Sequence, residues 1–125
     1  MMATVVHNEK ELGEALKNNA IEIEIADENL TGHVIRIKIT GAIVWVVAIG
    51  AIAVAVIAIL AAPVTGGTSA VASAVAAPAA AAVLGVGTTT SAIGIAVAAG
   101  GVSALNKLRE YKIEKRNGTT YLVKQ

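Results

Sequence analysis

From Ile39 to Asn106 the chain runs for 68 residues without a Lys, Arg, Asp or Glu. All 19 charged side chains lie before or after that stretch. A helix needs roughly 20 apolar residues to cross the hydrocarbon core of a bilayer. The stretch therefore holds two spans with a generous connection, or three short ones. The soluble alternative is a buried hairpin inside a larger complex. Uncharged apolar runs of about 18 residues or more favour the membrane reading.

The side chains sharpen that reading. Aromatic residues number three in the whole chain, Trp45, Tyr111 and Tyr121, and Phe is absent. Soluble cores of this size normally use aromatics to fill volume. Ala, Val, Ile and Gly alone either pack thin helices very closely or sit in lipid.

The first span is expected over 41–63, closed by Pro63. Its Ile and Val disfavour helix slightly in water, but in lipid the backbone must satisfy itself and helix wins. Ala48, Ala51, Ala55, Ala58 and Ala62 recur at 3,4,3,4 spacing and form one smooth stripe, with Ile52 and Ile59 off it. A connection and the start of an Ala-rich helix follow over 64–79, with Gly66-Gly67 and Pro78. The second span is expected over 80–106, with its own stripe of Gly87, Ser91, Gly94, Ala98 and Gly101. Small residues let membrane helices approach closely. In a segment this rich in Gly and Ala, such a stripe also arises from composition alone.

The flanks read as soluble structure. Asn8 followed by Glu11 has the form of a helix N-cap with its reciprocating Glu. Leu12, Ala15 and Leu16 give a short helix from Glu9 to Asn18 its apolar face. Ile21-Glu22-Ile23-Glu24-Ile25 alternates strictly and predicts a strand; 27–32 reads as a turn. Ile35-Arg36-Ile37-Lys38-Ile39 alternates too, and predicts a second strand whose cations face Glu22 and Glu24. The segment 107–125 is expected to be a β-hairpin turned at Asn117-Gly118, where both positions need positive φ. A lone hairpin is marginal. The fold expected is thus a transmembrane hairpin of two helices with a small cytoplasmic α+β domain built from both termini, residues 1–40 giving it a helix and two strands.

Charge sets the orientation. Arg36 and Lys38 precede the first span, five cations between Lys107 and Arg116 follow the second, and the Gly66 connection has none. Positive residues stay inside, so both termini are expected in the cytoplasm, at a bacterial inner membrane. The polar first 38 residues do not resemble a secretory signal, so the first span is expected to act as its own insertion signal. Trp45, Lys107 and Arg109 are the residues expected at the lipid headgroups, although topology alone accounts for the two cations.

The chemistry open to such a chain is narrow. Cys is absent, which removes disulfides, thiol nucleophiles and thiolate metal sites. His7 and His33 have no partners at metal-ligand spacing, and Glu22 and Glu24 are the wet face of a strand. Gly85-Val86-Gly87 lacks the remaining glycine of a dinucleotide fingerprint. A net charge of +1 gives no polyelectrolyte pull toward nucleic acid. Uncharged spans disfavour proton relays and coupled transport. Thr88, Thr89, Thr90 and Ser91 could line a water-filled path if copies assembled; more simply, each hydroxyl bonds back to its own helix or a neighbour. The expectation is a protein that is neither an enzyme nor a cofactor binder. It self-associates in the bilayer as a homo-oligomer and forms or gates a pore, in the manner of a toxin or defence effector. The alternative is an anchoring subunit whose α+β domain binds a cytoplasmic partner protein.

Overall fold

Asn8 starts the first helix as the spacing predicts. Its side chain accepts the Glu11 backbone N–H at 2.9 Å, and the Glu11 carboxylate returns to the His7 backbone N–H at 2.8 Å, one residue before the cap. The computed structural model describes residues 3–61 and 82–124. Within them, α1 (Glu9–Lys17) buries Leu12, Ala15 and Leu16, and Asn19 ends it in the left-handed region at φ 55°. Before α1 lies a short strand, β1 (Thr4–Val6), with too few residues to show alternation in the sequence. After α1 comes β2 (Glu22–Ile25), which buries Ile23 and Ile25.

The second predicted strand is a helix. Asp27 is not a turn residue but an N-cap: its carboxylate accepts the Leu30 N–H at 2.8 Å and opens α2 (Glu28–Ile39). Alternation of Ile and cations at 35–39 masks a second pattern, Leu30, Val34 and Ile37, which recurs at helical spacing and supplies the buried face. Capping plus that stripe outweigh the strand preference of branched side chains. The Glu22 and Glu24 pairing with Arg36 and Lys38 therefore does not form; Glu22 pairs with Arg116 at 2.5 Å instead.

The long apolar helix α3 (Ala42–Ala61) follows within three residues of α2. By length and composition Ala42–Leu60 is sufficient to cross a membrane. Ala62, Pro63, the expected connection 64–79 and residues 80–81 lie outside the described residues. The chain is next described in a helical turn at 82–84, then in α4 (Val86–Ala99) and α5 (Ser103–Glu110).

The expected straight span over 80–106 is broken. Gly100 takes φ 88°, and the Gly101 N–H returns to the Ala96 carbonyl at 2.9 Å, closing α4 with a left-handed cap. The chain then turns through 108° into α5. Fourteen residues of α4 cover about 21 Å, short of a roughly 30 Å hydrocarbon core. Helix α5 also takes Lys107–Glu110 out of the expected hairpin, which begins at Lys112.

The hairpin itself is as predicted: β3 (Lys112–Arg116) and β4 (Thr119–Val123), with Asn117 at φ 52° and Gly118 at φ 80°. The four strands form one sheet in the order β1-β2-β4-β3. β1 runs parallel to β2, and β4 runs antiparallel to both β2 and β3. Ile23 sits opposite Leu122, and Ile25 opposite Thr120, so Val6, Ile23, Ile25 and Leu122 share the buried face. Helices α1 and α2 pack on the sheet; α4 packs on α1 and α2; α3 packs on α4. The result is a small mixed α+β fold whose sheet joins both ends of the chain.

Candidate membrane interface

Helix α3 has two faces. Trp45, Ala48, Ile52, Ala55 and Val56 are buried, and Ile49, Ala51 and Ile59 are partly so. Opposite them, Ile43 is 86% exposed, Val46 68%, Val54 68% and Ile57 67%. Of the expected alanine stripe, Ala48 and Ala55 lie on the buried face, Ala51 at its edge, and Ala58 faces outward. Ile52 and Ile59 are on the buried side, not off it. The register is shifted because buried bulk comes at 45, 48, 52, 55 and 56, an ordinary helical stripe, and not from alanines alone. An exposed apolar face this long on a water-soluble protein is unusual.

At the base of α3, two helix ends meet and cap each other. The Lys38 ammonium, in the last turn of α2, donates to the Leu108 and Arg109 carbonyls at 3.0 Å each, and to the Tyr111 carbonyl. Arg109, in the last turn of α5, donates through Nη1 to the Ile37 and Thr40 carbonyls at 2.7 and 2.9 Å. Each cation thus satisfies carbonyls that a helix C-terminus leaves unpaired, and sits at the negative end of the partner's dipole. Burial, and then the Arg109 charge, push the Lys38 pKa below its ordinary value. The Arg109 guanidinium also lies 4.7 Å over the Trp45 ring. The indole N–H donates to Asn106 Oδ1 at 3.0 Å. Trp45 is therefore packed on α5 and almost fully buried, while Lys107 reaches the other way, to Asn19 Oδ1 at 3.2 Å.

The second small-residue stripe faces this chain's own polar helices. A Cβ on Gly94 would sit 3.2 Å from the Glu9 Cβ, and one on Gly87 3.1 Å from the His33 ring. At the centre of the crossing, a Cβ on Gly13 of α1 would meet the Ile95 carbonyl at 2.4 Å and the Ala98 Cβ at 2.7 Å. Ser91 donates to Glu9 Oε2 at 2.7 Å. Gly101 falls in the break after α4, off the stripe.

The hydroxyl cluster is largely engaged. Thr88 Oγ1 lies 3.1 Å from His33 Nδ1, and Thr90 bonds back to the Val86 carbonyl at 2.8 Å. Thr89 is buried, and its Oγ1 has no hydrogen-bond partner among the described residues. His7 is held by Glu11 at 3.0 Å. Among the described residues no group of three or more His, Asp or Glu gathers to hold a metal ion. The reciprocal roles of Lys38 and Arg109 were not visible in the sequence; Arg109 was legible only as part of a basic run. The chain matches no protein-family model, no curated protein and no solved structure.

Proposed function

We propose that this chain is a non-enzymatic membrane anchor: an α+β head at the bilayer surface, with the exposed apolar face of α3 turned to the lipid. One observation carries the reading. β2, from the first 25 residues, pairs directly with β4, from the last seven. Both ends thus belong to one folded body. Any membrane crossing between the two strands must occur an even number of times. The exposed apolar face of α3 is the part of the chain suited to lipid. The cations near the base of α3 favour a head on the cytoplasmic side. Engagement of Thr88, Thr90 and Ser91 inside the fold supports anchoring over conduction, with the head available to a partner protein.

A second reading is a homo-oligomeric pore in which the exposed apolar face of α3 meets other copies. Flotation with liposomes, carbonate extraction and release of an entrapped dye separate the readings. An anchor floats, resists carbonate and leaves the vesicles sealed. Dye release would replace anchoring with the pore. A detergent-free monomer that stays in the aqueous phase would overturn both.

A further inference from the structure

A cavity of about 550 Å³ is lined by Asn19, Lys107, Arg109, Glu110, Tyr111 and Lys124. Three separate stretches of sequence build it: the turn after α1, the end of α5 with Tyr111, and the residue after β4. Three cations face one carboxylate. Their donors are only partly used within the fold. Lys107 commits one N–H to Asn19. The Arg109 guanidinium is turned to the Ile37 and Thr40 carbonyls and to Trp45. The Lys124 ammonium has no ion-pair partner among the described residues. Tyr111 donates to the Ala20 carbonyl at 2.5 Å, so its oxygen remains as an acceptor.

The cavity's place in the fold suggests its occupant. Arg109 lines it and also lies over Trp45, one turn into α3. With the exposed face of α3 turned to lipid, the cavity stands at the level of the headgroups. The ammonium donors of Lys107 and Lys124 make strong, charge-assisted bonds to phosphate oxygens. Glu110 and the Tyr111 oxygen accept hydrogen bonds, which suits a headgroup carrying hydroxyls beside its phosphate. We propose that this cavity binds the phosphate of an anionic lipid headgroup, an inference that rests on the membrane-anchor reading. A soluble phosphate shares the same chemistry.

The test reconstitutes the full chain and Lys107→Gln/Lys124→Gln in phosphatidylcholine vesicles containing phosphatidylglycerol and reads the enrichment of phosphatidylglycerol over phosphatidylcholine at the protein. Two cations lost at a lipid surface should weaken that preference about 30-fold. Insertion into phosphatidylcholine alone should not change. The control, Lys10→Gln/Lys115→Gln, removes the same charge elsewhere. Lys115 lies by Asp27 and Glu28, at the start of α2, whereas α3 begins just past the other end of that helix. The control should lose less than about threefold. Equal losses in the two double variants would mean diffuse surface charge and would overturn the cavity as a site. Inorganic phosphate at millimolar levels should leave lipid association intact. If it instead stabilises the wild type, and the Lys107/Lys124 variant abolishes that effect without losing the phosphatidylglycerol preference, the ligand is a soluble phosphate. A wild type that floats with neither vesicle would remove the anchor reading, and the headgroup with it.

Discussion

Replacing Gly13 by Ala probes the tightest glycine contact among the described residues. Both Gly13 in α1 and Gly32 in α2 lie inside helices, so Ala at either should add up to about 1 kcal/mol of helix preference. Nothing lies within 4 Å of a Cβ at Gly32, so that gain should appear undiminished. At Gly13 the new carbon would stand 2.4 Å from the Ile95 carbonyl oxygen and 3.2 Å from the Ala99 nitrogen. These are backbone atoms, which cannot rotate away. Restoring ordinary contact requires α1 and α4 to part by about 1 Å, and a gap of 0.5–1 Å forfeits a quarter to a half of each dispersion contact along the crossing. Overpacking costs about 1–3 kcal/mol, so Gly13→Ala should be destabilised by a net ~1–2 kcal/mol while Gly32→Ala is stabilised. For a domain of this size, 1 kcal/mol corresponds to about 4–8 °C in Tm. Thermal unfolding in mild detergent, followed by circular dichroism, should separate the two variants by roughly 10 °C. If Gly13→Ala melts at or above Gly32→Ala, α1 does not cross α4 closely, and α4 is not part of the head.

Three further outcomes follow from the same geometry. Arg109→Gln should lower stability by about 1–3 kcal/mol, read by urea unfolding, because it leaves the Ile37 and Thr40 carbonyls short of a donor; full stability would mean that water caps them equally well. On α3, Ile52→Ala should cost about 2–5 kcal/mol and Ala58→Leu close to nothing, since Ile52 is buried and Ala58 is not; equal effects in a detergent melt would refute the assigned buried face. Hydrogen bonds to His7 and to Arg116 hold the Glu11 and Glu114 carboxyls below their ordinary values. Their folded forms therefore bind protons less readily than the unfolded chain, so the contribution is present above the ordinary carboxylate range and is lost as pH falls below it. Glu11→Gln/Glu114→Gln should flatten that acid limb of a stability–pH profile, and an unchanged limb would assign it to other carboxylates.

The sequence by itself determined the elements whose causes are local. The Asn8 cap, the Leu12–Leu16 stripe, the alternation at Glu22–Ile25 and the Asn117-Gly118 turn each act within a few residues, and each formed as read. So did the long apolar α3, which needs only hydrophobic length. Tertiary structure decided the rest. Segment 35–39 satisfied strand and helix patterns at once, and the choice fell to the Asp27 cap and to burial of Leu30, Val34 and Ile37. Residues 86–99 are apolar enough to be read as lipid-facing, yet they are held against α1 and α2 by Gly13, Glu9 and His33, partners 54 to 86 residues away. Lys38 and Arg109 looked like a topology signal because nothing local shows that the C-termini of α2 and α5 converge. A cation's charge is visible in a sequence; the unpaired carbonyls that it caps belong to another helix, and only the fold brings them within reach.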